Sequence, residues 1–209
     1  MAEAPQASEP TAAVPATAAA PAVERGFAGK LWFFCTWPPL VALDLWSKHV
    51  VFAFLDGVAN ERGEAHLPEG HRTPWNVFDG SLLQFDLVTW GNPGTIWGLF
   101  QGSTVPLMVV RCCAVVALVW FLRNTARAAK VQQGVIALVL AGALGNLYDN
   151  FVRADRSVRD FLYFTGEWPV AWTFPAFNVA DSCITVGAIG LFLLLWRDDR
   201  KPKQAPVSS

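Results

Sequence analysis

Four long apolar stretches divide the chain and predict four transmembrane helices. They run from about Leu31 to Leu55, from about Val105 to Leu122, from Val131 to Tyr148 and from about Val179 to Trp196. Each is close to the roughly 20 residues that a helix needs to cross the hydrocarbon core of a bilayer. The first stretch contains Asp44 and Lys48 and the second contains Arg111, whereas the third carries no charge before Asp149.

The hydrophobic pattern changes in the connection between the first two stretches. In residues 82–88, the apolar positions 83, 85 and 87 alternate with positions 82, 84, 86 and 88, which include Gln84 and Asp86; this period of two is typical of a strand with one apolar face. Asn92, Pro93 and Gly94 predict a turn, and residues 95–100 predict a short helix at the membrane surface. We therefore expect a small sheet-like platform at about 56–104, on the same side of the membrane as the segment 150–178.

The composition agrees with a membrane protein. Hydrophobic residues make up 53% and charged residues 16% of the 209 residues, whereas a soluble domain carries about 25% charged residues. The net charge is −1, so the chain offers no basic field to nucleic acid. These numbers argue against a soluble enzyme and against a nucleic-acid-binding protein.

Basic residues in the connections predict the orientation. Nine lie on the side that holds both termini and the 123–130 turn, and five lie on the other side. Because cytoplasmic loops carry the excess of Lys and Arg, both termini are expected in the cytoplasm. Residues 1–28 are predicted to be a disordered Ala/Pro-rich tail without the features of a cleavable signal peptide, residues 29–197 the membrane domain, and residues 198–209 a cytoplasmic C-terminal tail.

The cysteines and histidines predict neither a metal site nor a disulfide framework. The residues concerned are Cys35, Cys112, Cys113, Cys183, His49, His66 and His71. The cysteines show no CxxC spacing, and the histidines form no HExxH pair. We therefore expect the cysteines to be small buried hydrophobic residues.

Polar side chains that a bilayer disfavours lie near the ends of three predicted helices. An ionisable group in the hydrocarbon core costs a few kcal/mol, so it needs a partner, a wet cavity or a function. Asp44 and Lys48 lie four residues apart in the first helix. The third and fourth helices supply Gly142, Asn146, Asp149, Arg153, Asn178 and Asp181. Taken singly, these side chains also fit structural roles as ion pairs, interhelical hydrogen bonds or helix caps.

Two of the carboxylates are candidates for a shared site. Asp160 lies in the segment 150–178, and Asp181 has no basic neighbour in the sequence. Two carboxylates brought together at a water–lipid boundary can share one proton, as in aspartic proteases. A proton-coupled transporter would use similar groups, so the spacing alone leaves a peptidase and a transporter open.

Five blocks around these residues resemble those of one known family. The blocks are residues 141–149 (AGALGNLYD), 158–161 (VRDF), 174–182 (FPAFNVADS), Asp44 with Lys48, and 92–98 (NPGTIWG). They resemble, respectively, the GNxxD, VxDF, PxFNxADS, first-helix D…K and NxGxxFG patterns of the lipoprotein signal peptidases (signal peptidase II). The resemblance extends from about residue 30 to residue 197.

The resemblance implies an all-α membrane protein of four transmembrane helices, with a small extracytoplasmic β-cradle at about 56–104 and a short surface helix. It implies a membrane aspartic peptidase that cuts prolipoproteins immediately before a cysteine that already carries diacylglycerol. Such an enzyme is a multi-pass protein of the bacterial inner (cytoplasmic) membrane with its site near the outer face. It is expected to act as a monomer on diacylglyceryl-modified prolipoproteins within membrane lipid, without nucleic acid, cofactor or metal.

The resemblance also implies roles for individual residues. By their positions in the blocks, Asp160 and Asp181 are expected to be the catalytic pair. Supporting or substrate-binding roles are expected for Asn146, Asp149, Asn178, Asn92, Asp44 and Lys48. Asn146, Asp149 and Asn178 would orient the pair, Asn92 would hold substrate backbone, and Asp44 and Lys48 would hold the first helix against the others.

One position departs from the family pattern. The family's GNxxD block usually continues with arginine, whereas Asn150 stands here. Arg153, one turn later, is therefore expected to supply the missing charge. The alternatives are a catalytically silent paralogue that binds lipoprotein precursors and a small proton-coupled transporter.

Overall fold

A computed structural model describes residues 26–93 and 104–199 of the chain. The described elements, in chain order, are α1 (Leu31–Glu61), β1 (Trp75–Phe78), β2 (Gln84–Asn92), α2 (Val105–Asn124), α3 (Lys130–Val152), β3 (Val158–Gly166), β4 (Trp172–Phe177) and α4 (Val179–Asp199). The predicted surface helix at 95–100 and most of the two predicted tails lie outside the described residues.

All four predicted apolar stretches form helices. α1 extends beyond its predicted end to Glu61 and contains Pro38 and Pro39. Three of the described helices, α2, α3 and α4, are long and apolar enough to cross a membrane. α1 is not one of these three, because Asp44, Lys48 and the two prolines lower its mean hydropathy.

α3 is the central helix, since it packs against α1, α2 and α4. Its residues Ile136, Ala137 and Leu140 form a buried cluster with Phe33 of α1 and Leu122 of α2. Many large apolar side chains of the other helices point outward; examples are Trp46, Val116, Trp120, Ile189 and Phe192. An apolar exterior around an interior of small and polar residues is what a helix bundle in lipid requires.

The four cysteines are free, but they are not all buried. Cys183 is buried and Cys112 is half-buried, whereas Cys35 and Cys113 are exposed. The prediction that all four are buried hydrophobic residues is therefore wrong for Cys35 and Cys113. These two lie on helix faces that the described parts of the protein leave open.

Two glycines of α3 allow α1 and α4 to approach it closely. A Cβ at Gly142 would collide with the backbone oxygen of Ala180, and a Cβ at Gly145 would collide with the carboxylate of Asp44. Small residues at helix interfaces permit this kind of contact. The three helices therefore meet closely at the level where their polar side chains lie.

The sheet is antiparallel, with the strand order β1-β2-β3-β4. The segment predicted to form the cradle, at about 56–104, supplies β1 and β2, and the segment 150–178 supplies β3 and β4. The cradle is therefore larger than predicted, because pairing joins strands that are far apart in the sequence. In the pairing of β2 with β3, Trp90 lies opposite Asp160 and Asn92 lies opposite Val158.

Two short connections join the sheet to the helices. α3 ends at Val152, and β3 begins at Val158 after a turn in which Arg156 has a φ of 54°. β4 ends at Phe177, and α4 begins at Val179. Polar residues beside these two connections therefore meet in one place, at the sheet-side ends of the helices.

Candidate active site

Asp160 is a fully buried carboxylate near the start of β3. Its exposed fraction is 0%. Asn92 Nδ2, from β2, donates a hydrogen bond to Asp160 Oδ2 at 2.9 Å. Asn178 Nδ2, from the β4–α4 junction, donates to Asp160 Oδ1 at 2.6 Å. Amide groups from two different elements therefore hold both oxygens of this carboxylate.

Asp181 lies half-buried in the first turn of α4. Its backbone N–H donates to Asn178 Oδ1 at 2.9 Å, and the backbone N–H of Asn178 donates to Asp181 Oδ2 at 3.2 Å. This reciprocal arrangement is a capping box, in which Asn178 is the N-cap residue of α4. Asn146 Nδ2 donates to the other carboxylate oxygen, Asp181 Oδ1, at 2.7 Å.

Two asparagines connect the carboxylates. Asn178 Nδ2 donates to Asn146 Oδ1 at 3.2 Å as well as to Asp160, and Asn146 in turn donates to Asp181. A chain of hydrogen bonds therefore runs from Asp160 through Asn178 and Asn146 to Asp181. Because amide groups are neutral, they orient the two carboxylates without adding charge.

The electrostatic environment favours a protonated Asp160. Burial, followed by the nearby charge of Asp181, raises the pKa of Asp160 from 3.8 to about 7. The hydrogen bonds from Asn92 and Asn178 and the charge of Lys48 oppose this rise but do not cancel it. Near neutral pH the two carboxylates can therefore share one proton, as like charges in a dry site do.

Lys48 forms the centre of the network that supports the pair. Its ammonium group is fully buried and lies 2.8 Å from Asp44 Oδ2 and 3.2 Å from Asp149 Oδ2. It also donates to Asn146 Oδ1 at 3.0 Å. Asp44 Oδ1 in turn accepts a hydrogen bond from the backbone N–H of Ala180 at 2.9 Å. This network joins α1, α3 and α4 around the residues that orient Asp181.

Asp149 fixes the start of β3 through Arg159. Arg159 Nη2 and Nε lie 2.6 and 3.0 Å from Asp149 Oδ1, and the backbone N–H of Arg159 donates to Asp149 Oδ2 at 3.0 Å. Such charge-assisted bonds are stronger than neutral ones. Asp149 therefore sets the position of the residue that precedes Asp160. Arg159 was not a predicted site residue, although it lies inside the VRDF block.

Arg153 lies in a separate group of charges. Its guanidinium lies 2.8 Å from Glu69 Oε2 and 3.2 Å from Asp155 Oδ1, and its Nε donates to Ser157 Oγ at 3.1 Å. Burial acts to lower the pKa of Arg153, but its bonds to Glu69 and Asp155 outweigh burial and raise it. Arg153 therefore connects the turn after α3 to the loop before β1, and its described partners do not include the two candidate catalytic aspartates.

Asn150 contacts a residue that the sequence did not single out for the site. Its side-chain oxygen accepts a hydrogen bond from Arg111 Nη1 of α2, and its side-chain nitrogen donates to the backbone oxygen of Arg156 at 2.6 Å. The only sequence signal for Arg111 is its position as an isolated charge inside an apolar stretch.

The structure brings eight predicted residues into one connected network: Asn92, Asp44, Lys48, Asn146, Asp149, Asp160, Asn178 and Asp181.

A cleft of about 670 Å³ lies beside Asn92. Its walls include Trp90 of β2, Tyr163 of β3, Pro175 of β4 and His71 of the loop before β1. Asn92 links this cleft to the pair, because it lines the cleft and donates a hydrogen bond to Asp160, which does not itself line it. Across residues 26–93 and 104–199, no group of three or more His, Cys, Asp and Glu side chains is arranged to hold a metal ion.

Known proteins resemble this chain over most of its length. The family model described as signal peptidase (SPase) II matches residues 39–197. A lipoprotein signal peptidase of Halalkalibacterium halodurans is 30% identical over 165 residues, which are 79% of this chain and 92% of that relative. A lipoprotein signal peptidase of Clostridium acetobutylicum is 35% identical over 119 residues, which are 56% of this chain and 74% of that relative.

The fold has a counterpart among solved structures. A bacterial membrane enzyme determined by the in meso method at 2.3 Å resolution superposes with a TM-score of 0.64, over 88% of this chain and 98% of the other. The two sequences are 24% identical, so this similarity shows the fold of a membrane enzyme. Together with the family match, it shows that the chain belongs to the signal peptidase II family, the peptidases that remove signal peptides from prolipoproteins.

Proposed function

We propose that this chain is a membrane aspartic endopeptidase that cuts diacylglyceryl-modified prolipoproteins immediately before the lipidated cysteine. The observation that carries the proposal is the hydrogen-bonded chain from Asp160 through Asn178 and Asn146 to Asp181. The raised pKa of Asp160, about 7, supports a pair that holds one proton at neutral pH. In this pair Asp160 is the member that holds the proton.

The two aspartates divide the chemistry of peptide hydrolysis. Asp160 donates its proton to the oxygen of the scissile carbonyl, while Asp181 takes a proton from a water molecule. The water oxygen then bonds to the carbonyl carbon and forms a tetrahedral intermediate. Asp181 returns its proton to the amide nitrogen as the C–N bond breaks, and Asp160 recovers its proton from the intermediate. The products are the free signal peptide and a lipoprotein with an N-terminal cysteine.

The remaining predicted residues support this reaction. Asn146, Asp149 and Asn178 orient the aspartates, and Asp44 and Lys48 hold α1 against α3 and α4. Asn92 holds substrate backbone at the cleft that it lines, a role supported by its place in the cleft wall and by its hydrogen bond to Asp160. No resident metal or other cofactor takes part, and the enzyme acts as a monomer.

The proposed topology has four membrane-spanning helices. α1 has 31 residues, or about 46 Å of helix, against a hydrocarbon core of about 30 Å. Its two charges, Asp44 and Lys48, are buried and paired within the bundle, so they do not prevent a crossing. With both termini in the cytoplasm of a bacterium, the sheet and Asp160 lie at the outer face of the inner membrane.

This placement suits a lipidated substrate. Two acyl chains and an apolar signal helix keep the substrate in the bilayer, and the scissile bond then lies at the membrane surface. The apolar exterior of the helices contacts lipid, while the cleft beside Asn92 opens among sheet residues that include Trp90 and Tyr163. Water reaches the reacting carbonyl from the same side.

The direct test is cleavage of a purified diacylglyceryl-modified prolipoprotein in detergent micelles. Wild type is expected to cut before the lipidated cysteine, and Asp160→Asn and Asp181→Asn are expected to lose activity while they remain folded. Asp79→Asn, at an exposed carboxylate in the β1–β2 connection, is the matched control. Full activity in either catalytic variant would contradict the aspartic mechanism.

Two other outcomes would support the alternatives. Binding of the precursor by wild type without any cleavage would indicate a silent paralogue. Proton flux into liposomes that depends on Asp181 would indicate a transporter.

A further inference from the structure

The charges buried at the sheet-side ends of the helices include two ion pairs. Lys48 Nζ lies 2.8 Å from Asp44 Oδ2, and Arg159 Nη2 lies 2.6 Å from Asp149 Oδ1. In each pair one positive charge balances one negative charge. The four groups therefore add no net charge to the site that they surround.

The catalytic pair carries a negative charge that these ion pairs do not balance. When Asp160 and Asp181 share one proton, one carboxylate remains ionised. An unbalanced charge in a site shielded from water is unfavourable. Arg111 of α2 interacts electrostatically with Asp181, Asp160 and Asp149. In the part of the chain that the structure describes, Arg111 has no carboxylate as a hydrogen-bond partner.

Asn150 holds Arg111 in this position. The Asn150 side-chain oxygen accepts from Arg111 Nη1, and its nitrogen donates to the backbone oxygen of Arg156 at 2.6 Å. Asn150 is 3% exposed, so its amide is fixed in the interior. An arginine at position 150 would offer Arg111 no acceptor, because a guanidinium only donates. Asparagine at 150 and arginine at 111 therefore fit each other as one unit.

We propose that Arg111 is the cation that balances the ionised member of the Asp160–Asp181 pair, so that the positive charge of the site comes from α2. Arg111 is a positioning residue, because it touches Asn150 and acts on the carboxylates through its electric field. It favours the singly protonated pair over the doubly protonated one. This inference rests on the proposed function, since it takes the two aspartates as the catalytic pair.

The test is the pH dependence of kcat/KM for cleavage of the diacylglyceryl-modified prolipoprotein. At the acid side of the profile, kcat/KM rises with pH as the pair ionises to its active, singly protonated form. This rise is the acid limb. Loss of a positive charge opposes that ionisation, so Arg111→Gln should move the acid limb to higher pH. For one charge that acts across a partly buried site, the expected shift is of the order of one pH unit.

Matched variants separate charge from packing. Arg111→Lys keeps the charge and should keep the acid limb near its wild-type pH. Arg111→Gln combined with Asn150→Arg returns a positive charge to the same place from α3, so the limb should move back. Asn150→Arg alone adds a second cation and should move the limb to lower pH, a measurement that does not require Arg111→Gln to fold. Arg123→Gln removes a charge from the opposite end of the same helix and should leave the limb in place.

The outcomes distinguish this inference from the proposed function. If the acid limb stays at the wild-type pH in both Arg111→Gln and Asn150→Arg, the inference is overturned. This holds even if activity falls, since the loss of a purely structural contact would lower activity without moving the acid limb. A shifted limb in Arg153→Gln with an unshifted one in Arg111→Gln assigns the cation to Arg153 instead. If Asp160→Asn and Asp181→Asn cleave like wild type, the proposed function itself fails. Thermal unfolding in micelles shows which variants are folded.

Discussion

Asn178 donates a 2.6 Å hydrogen bond to the buried carboxylate of Asp160 while its own side-chain oxygen caps helix α4. One side chain therefore both begins a membrane helix and orients a candidate catalytic group. A structural role and a functional role, which the sequence left as alternatives, are combined here in the same residue. The two roles can be separated by substitution.

Asn178→Ser should keep the cap of α4 but lose the amide donor to Asp160, whereas Asn178→Ala should lose both. Leaving a buried acceptor of Asp160 without its donor costs about 1–3 kcal/mol, so both variants should lose roughly 5- to 150-fold in kcat/KM. The alanine variant should also be less stable than the serine variant by about 1 kcal/mol. Cleavage assays and unfolding in micelles measure the two effects, and equal stability of the variants would contradict the capping role.

Asp160 should reduce the stability of the folded protein as the pH rises. Its pKa is raised from 3.8 to about 7 by burial and by Asp181. The folded state therefore holds this proton more tightly than the unfolded state does. The contribution is fully favourable below pH 3.8 and is lost as the pH rises through about 7.

Asp160→Asn should accordingly be more stable than wild type at pH 8, with a difference of the order of a few kcal/mol that disappears near pH 4. Unfolding of both proteins in micelles across this pH range provides the measurement. A constant difference between them at all pH values would show that ionisation of Asp160 does not limit stability.

Lys48→Met should be among the most damaging single changes in the bundle. It removes the cation from between Asp44 and Asp149, which lie 2.8 and 3.2 Å from the ammonium group. Removing one partner of a buried ion pair lowers the free energy of unfolding by about 3–5 kcal/mol, because the other charge stays buried without a partner. The double variant Asp44→Asn with Lys48→Met leaves no unpaired charge on α1 and should regain much of the loss. A double variant as unstable as Lys48→Met would show that packing, not charge, dominates at this position.

Gly145→Ala should disturb the site, whereas Gly57→Ala should not. A Cβ at Gly145 collides with the Asp44 carboxylate, whereas a Cβ at Gly57 meets nothing within 4 Å. Gly57→Ala should leave stability unchanged or raise it by up to about 1 kcal/mol, since alanine favours helices. Gly145→Ala should lower both stability and activity, because Asp44 can move only by breaking its bonds to Lys48 and Ala180. Equal behaviour of the two variants would mean that α1 can shift away from α3.

Arg153→Ala should lower activity through the loop before β1, since the described partners of Arg153 do not include the two candidate catalytic aspartates. The 2.8 Å ion pair with Glu69 explains how Arg153 affects the site, because the loop that carries Glu69 also contributes His71 to the wall of the cleft. If Arg153 acts by holding this loop, Glu69→Gln should reproduce much of the loss of activity. Turnover by Arg153→Ala at the wild-type rate would remove Arg153 from the site altogether.

The sequence by itself determined the helices and most of the site. A long apolar stretch forms a helix in lipid because every backbone group must find its partner locally, so the four helices follow from composition alone. Asp44, Asn146 and Asp181 were also recognisable, since polar groups in such stretches need a reason to be there. Asp160 and Asn92 lie outside the stretches, and the resemblance of their sequence blocks assigned them to the site. The alternation at 82–88 indicated β2, although the strand itself is Gln84–Asn92.

Only the tertiary structure decided which neighbours these groups have. β3 and β4 lack a clear alternation, and they complete the sheet through pairing with strands far away in the sequence. The contact of Arg111 with Asn150 joins α2 to α3, and that of Arg153 with Glu69 joins the turn after α3 to the loop before β1. Helical spacing fixes which residues share a face, but not which helix that face meets. The rotation and packing of helices depend on long-range contacts such as those at Gly142 and Gly145.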